Sequence, residues 1–194
     1  VPVDKAKAIE LYKKAAKQNN PKAQFNLGVI YSKGNGVEKD LDKAKKWADQ
    51  ASDLNSAKGK QTLALIYKKK FNNKKLEKQF LKEAAELGLP SAMTELAIHY
   101  RHRKKYLQAE KWFKAAVENN EPVACFYYGK ELFEGRHYTQ DIEQGYKLME
   151  DASFMGNLHA IDEVISILEN GINGIPKDIS KLKKLQDLKR EAMK

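Results

Sequence analysis

The chain has 194 residues and carries 36 lysines and arginines against 26 aspartates and glutamates, a formal net charge of +10. Its single cysteine, Cys125, excludes an internal disulfide framework. The longest apolar runs, such as residues 63–67, are far too short to cross a bilayer, and no signal-like apolar segment is present.

The elements follow in order. Residues 4–18 predict a helix with Ala8, Leu11 and Ala15 on one face. Asn19 and Asn20 end it, and Pro21 opens the next helix at the position that proline tolerates best. A Gly34-Asn35-Gly36 turn then leads to Asp40, a good N-cap, for a helix reaching about Ala51. Further helices are predicted over 56–70, 76–87, 91–103, 107–118, 123–134, 142–154, 158–170 and 180–193. Pro90 and Pro122 repeat the position of Pro21; Asp141 and Asp178 repeat that of Asp40, and Asn73 is the matching cap. The last helix is rich in lysine and leucine. Leu182, Leu185 and Leu188 should cover the helix before it, leaving a polar outer face to close the array.

The elements recur. The small residue opening each first helix is Ala23, Gly59, Ala92, Ala124 and Ala160, spaced 36, 33, 32 and 36 residues apart. Leu27, Leu63, Leu96, Tyr128 and Val164 follow four positions on, then Gly28, Ala64, Ala97, Gly129 and Ile165, then Tyr31, Tyr67, Tyr100, Leu132 and Leu168. Such spacing forms one face of an α-helix, with small residues where a neighbouring helix comes close. The second helices are anchored by Ala8, Ala44, Glu77, Ala109 and Gly145, followed three residues later by Leu11, Trp47, Phe80, Trp112 and Leu148. From each second-helix anchor to the next first-helix anchor is always 15 residues, whereas the opposite step varies from 17 to 21. One turn is fixed by packing and the other absorbs insertions, as in a stacked helical array.

The Leu-Gly-x-x-Tyr spacing is tetratricopeptide-like. The segment Gly34-Asn35-Gly36-Val37-Glu38-Lys39-Asp40, with Lys43, Ala44, Trp47 and Ala51 after it, resembles the turn and second helix of the Sel-1-like repeat family. Residues 171–178 are a longer version and 135–141 keep the ends, while 71–75 and 102–106 have lost that turn. The resemblance implies an all-α fold: a right-handed α/α superhelix, or solenoid, of about five helix-turn-helix repeats plus a leading half-repeat. Helix pairs would start near 21, 56, 90, 122 and 157 within a single array spanning 1–194. Residues 1–4 align with 37–40, so the chain is expected to begin in mid-repeat, as a piece of a longer protein whose targeting segment is missing. A bacterial protein, periplasmic or secreted, is expected.

The resemblance also implies a groove lined by the first helices, at positions two before the Leu, two after it, and five to six after it. The partner-binding residues expected there are Phe25, Val29, Lys33, Lys58, Leu65, Lys68, Lys69, Ile98, Arg101, His102, Phe126, Lys130 and Phe133. The fifth repeat turns this lining acidic, with Asp162 and Glu169. Phe25, Leu65, Ile98 and Phe126 either pack between repeats or face the groove. Apolar pockets flanked by cations suit a protein or peptide partner with acidic residues or a free carboxylate.

A basic edge is the second feature. Lys68, Lys69, Lys70, Lys74 and Lys75 share one diverged turn, and Arg101, Arg103, Lys104 and Lys105 share the next; these nine cations are close to the whole net charge. They are either a solvated turn or a surface for an anionic partner. Nucleic acid is disfavoured, since no motif for base stacking or groove entry is present.

No catalytic constellation stands out, and the chain is not expected to be an enzyme or to hold a cofactor or metal. His99 and His102 lie one turn apart without a third ligand at metal-like spacing. Cys125 reads as a small buried or groove residue. Proteins of the resembled family act as adaptors, some as inhibitors capping a toxic enzyme. The expected function is therefore a non-catalytic scaffold, monomeric without its partner, that holds a polypeptide in its groove and regulates or inhibits it. The alternative is an electrostatic binder of an anionic polymer or surface through 68–75 and 101–105.

Overall fold

A computed structural model describes residues 5–192. The described residues form eleven α-helices: α1 (Lys5–Lys17), α2 (Pro21–Lys33), α3 (Leu41–Asp53), α4 (Ala57–Lys69), α5 (Lys74–Glu86), α6 (Pro90–His102), α7 (Tyr106–Glu118), α8 (Pro122–Glu134), α9 (Ile142–Phe154), α10 (Leu158–Asn170) and α11 (Ile179–Ala192). A 3-10 turn, Ile172–Gly174, follows α10 and was not foreseen. No strand occurs among the described residues. Asp4 and Met193, placed at the ends of predicted helices, lie outside them, as does the alignment of residues 1–4 with 37–40.

The helices have nearly uniform length because the same signals bound them. Asn20, Ser56, Asn73, Glu121 and Asn157 each accept the backbone N–H three residues ahead through their side chains. Asp40 and Asp141 do the same for α3 and α9. Each such cap stabilises a helix by about 1 kcal/mol.

The invariant 15-residue step has a backbone cause. Eleven residues after each second-helix anchor stands a left-handed residue: Asn19, Asn55, Gly88, Asn120 and Gly156, with φ between 52° and 85°. The next residue donates its N–H back across the turn, as Ser56 N does to Ala51 O at 3.0 Å and Asn157 N to Ala152 O at 3.0 Å. This is the Schellman closure, which glycine and asparagine both allow. The variable turns are closed at a different point. The N–H groups of Asp40, Asn73, Lys105 and Asp141 return to the carbonyls of Tyr31, Tyr67, Tyr100 and Leu132 at 2.9–3.0 Å. Insertions bulge out between two clamped ends.

The chain falls into two compact units that divide within α6, after Leu96. In the N-terminal unit, Ile9, Ala16, Ala23, Leu27, Ala44, Ala48, Leu63 and Ile66 form one buried cluster, with α2 packed on α1, α3 and α4. In the C-terminal unit, Met149, Ile161, Val164, Ile167 and Leu185 belong to another, and α8 and α9 are its most closely packed helices. Gly129 and Gly145 bring α8 and α9 together: a Cβ on Gly145 would lie 2.5 Å from Phe133 N and 2.6 Å from Gly129 O. Leu185 of α11 is fully buried, with Leu182 and Leu188 partly buried against the same cluster, as their spacing predicted. Leu11 departs from expectation. It is 59% exposed, while Ile9 and Ala16 supply the buried face of α1. Its counterparts Trp47, Phe80, Trp112 and Leu148 are half-buried between helices; among the described residues no helix precedes α1 to do the same for Leu11.

Candidate partner-binding site

The groove positions predicted from the register do not share one environment. In the N-terminal unit they remain open. Phe25, Val29 and Leu65 are half-buried, and Lys33, Lys58, Lys68 and Lys69 are exposed. Phe25 forms the floor of a cavity of about 400 Å³ whose other walls are Pro21, Lys22, Asn26, Leu54, Asn55, Ser56 and Lys58. The ammonium of Lys58 stands 5.6 Å from the centre of the Phe25 ring. Leu54 is 45% exposed at the rim. The cavity sits where the turn before α4 passes the first turn of α2, so the left-handed Asn55 fixes one wall.

Leu54 was not anticipated, although the sequence held a signal for it. It stands ten residues after its second-helix anchor, as Leu87 and Met155 do, and all three are exposed. An apolar residue recurring at one solvent-facing register position is a feature a purely solvated turn would lack.

The basic turn after α4 is only partly free. Lys68 pairs with Glu77 at 3.4 Å, and Lys70 pairs with Asp42 and lies 5.6 Å over the Phe71 ring. Lys69, Lys74 and Lys75 are exposed and belong to no ion pair among the described residues.

In the C-terminal unit the expectation needs correction. Phe126 is 8% exposed and Phe133 is 4% exposed, and both belong to the buried cluster there. Phe126 occupies the register of Phe25, but the residue one repeat on is His159, whose ring stacks on it at 6.0 Å. At Phe25 that residue is Lys58, which hovers rather than seals. Phe133 is covered where the turn after α8 folds back; its carbonyl accepts Gln140 Nε2 at 3.1 Å and Asn173 Nδ2 at 3.4 Å.

Two expected cations are also spoken for. Arg101 donates from Nη1 to the buried Glu131 at 3.1 Å and lies 5.0 Å over the Tyr127 ring. His137 Nδ1 reaches the other Glu131 oxygen at 2.5 Å. Lys130 pairs with Glu163 at 2.7 Å. Ile98 is half-buried, and His102, Arg103, Lys104 and Lys105 are exposed. Arg101–Glu131 and Lys130–Glu163 each join residues one repeat apart, as Gln61 does with Ser91 and Glu95 in the N-terminal unit.

Cys125 is buried, and burial pushes its thiol up to about 11, which removes it as a nucleophile near neutral pH. Among the described residues no three His, Cys, Asp or Glu side chains converge as a metal site requires. No helix there is long and apolar enough to cross a membrane.

Comparison with known proteins places this geometry in context. The Sel1 repeat model matches residues 1–20, 21–56, 90–121, 122–157 and 166–181. No curated protein sequence matches the chain. Among solved structures, a Sel1 repeat protein from Oxalobacter formigenes is 27% identical over 96% of this chain and 79% of its own, with a TM-score of 0.86. A protective antigen of uropathogenic Escherichia coli with the same repeat fold is 23% identical, with a TM-score of 0.77; the match covers 95% of this chain but only 44% of that one. An immunity protein of Pseudomonas aeruginosa is 21% identical over 95% of this chain and 72% of its own, with a TM-score of 0.75.

Proposed function

The chain belongs to the Sel1 repeat family, whose members are generally non-catalytic protein-interaction scaffolds, and on that premise we propose that it binds a partner polypeptide through the N-terminal unit. The Phe25 cavity carries this reading. Its apolar floor takes an apolar side chain, its walls bear Lys22 and Lys58, and Lys33 and Lys69 stand exposed on the same helices. A partner segment combining an apolar anchor with acidic residues or a terminal carboxylate complements it in shape and charge. Affinity concentrates where an anchor is desolvated in a pocket, and surrounding charges mainly set the rate and selectivity of encounter.

The proposed role is that of an adaptor or an inhibitor of the captured partner. The likeness to an immunity protein of Pseudomonas aeruginosa supports the second form. The alternative, attraction of an anionic polymer to the basic turns, has less behind it: Lys68, Lys70 and Arg101 already hold carboxylates.

The test is a pull-down with wild type, Phe25→Ala and a Lys69/Lys74/Lys75→Glu triple variant, with retained proteins identified by mass spectrometry. A partner kept by wild type and lost by Phe25→Ala supports the proposal. A partner kept equally by both removes it. Binding that collapses between about 50 and 200 mM salt, and vanishes only in the triple variant, would establish the polymer-like reading instead.

A further inference from the structure

A second cavity, in the C-terminal unit, has a different chemistry from the first. It lies between α7 and the turn that leads into α9, over α8, and encloses about 540 Å³. Tyr106, Tyr128, Tyr138 and His137 contribute four rings to its lining, and Glu110 and Asp141 contribute carboxylates. Tyr106 stacks on His137 at 4.4 Å, and Tyr128 meets Tyr138 at 5.5 Å with planes 64° apart, so the rings form walls of different orientation. Tyr128 Oη donates to Glu110 Oε1 at 3.2 Å. We propose that this cavity receives the cationic side chain, a lysine ammonium or an arginine guanidinium, of a partner polypeptide.

The physical case has three parts. Aromatic rings with carboxylates beside them attract an organic cation through ring quadrupoles and direct charge. One cation of the chain itself already lies there: Lys114, largely exposed on α7, pairs with Glu110 one helical turn before it, its ammonium 2.8 Å from Oε1. Burial pushes up the phenols of Tyr128 and Tyr138, and nearby carboxylates add to that rise, Glu110 and Asp141 at Tyr128, Glu131 and Glu110 at Tyr138, where Arg101 opposes them. At the mouth, Leu107 is 80% exposed, an apolar residue that a docked chain covers and a free small cation does not. The volume exceeds one side chain and leaves room for flanking backbone. This site is independent of the Phe25 cavity and of the reading built on it.

The experiment is a titration of the isotopically labelled chain, followed by NMR, with N-acetyl-arginine methylamide and its lysine counterpart. The neutral citrulline analogue and free guanidinium ion serve as controls at matched ionic strength. The expected result is saturable shifts at Tyr106, Tyr128 and Tyr138 with both cationic amides and none with citrulline. Tyr138→Leu should weaken binding on the order of tenfold. Glu110→Gln, which keeps an acceptor for Tyr128, should weaken it several-fold. Lys114→Ala, at an exposed position, should tighten it by removing the resident competitor. The proposal is overturned if neither amide saturates, if citrulline shifts the same resonances, or if Glu110→Gln and Lys114→Ala change nothing. Guanidinium ion binding as tightly as the arginine amide would mark a small-cation site and overturn the assignment to a polypeptide.

Discussion

Alanine substitutions at Phe25 and Phe126 should part company, although the two residues hold the same place in their repeats. Phe126 is 8% exposed within the buried cluster of the C-terminal unit. Truncating a buried phenylalanine costs about 3–5 kcal/mol, because transfer energy and a residual cavity add. For a chain of this length each kcal/mol moves the melting temperature by about 2–4 °C, so Phe126→Ala should melt about 6–20 °C lower. Phe25 is half-buried over an open cavity. Only part of its surface is withdrawn from water, and its neighbours have room to relax, so the cost is about 1 kcal/mol and about 2–4 °C. Thermal and guanidinium unfolding followed by circular dichroism measures both. Partner capture should show the reverse order, with loss at Phe25→Ala greater than the stability change explains. Equal melting temperatures for the two variants would refute the reasoning, because they would mean that the residue one repeat on does not decide burial.

Other outcomes follow from the same coordinates. Gly145→Ala should destabilise by about 1–3 kcal/mol in chemical denaturation, because its Cβ would meet backbone atoms that cannot step aside, whereas Gly28→Ala, with its nearest contact at 3.4 Å, should be near neutral. Arg101→Met leaves Glu131 buried without its guanidinium and should cost about 3 kcal/mol, while Arg103→Met, at an exposed position, should cost almost nothing in the same assay. Cys125 should resist alkylation in the native state at neutral pH, with thiolate appearing at about 11 rather than at the ordinary 9.0. Because the folded value is the higher one, the stability linked to this thiol is full below 9.0 and declines as pH rises towards about 11. The raised phenols of Tyr128, Tyr138 and Tyr146 extend that alkaline loss further, which a pH series of melting curves will show.

Much of the architecture was written in local chemistry. Asparagine or glycine eleven residues after each anchor, a side-chain cap before most of the helices and a small residue at most crossings are signals a chain carries within about fifteen positions. They set the helices, the pairing and the fixed turn without reference to the rest of the molecule, and the family resemblance rests on the same residues. Exposure of the groove positions is a different kind of property. Phe25 and Phe126 are identical residues at identical register, and what separates them is Lys58 against His159, more than thirty residues away. Arg101 looks like a free cation until Glu131 approaches from the next repeat. The ring-lined cavity of the C-terminal unit likewise draws on α7, α8 and the turn beyond, none of which names it alone. Local backbone preferences act through neighbours in sequence, so the order of residues determined them. Burial and ion pairing act through neighbours in space, and only the packed helices decided which side chains those would be.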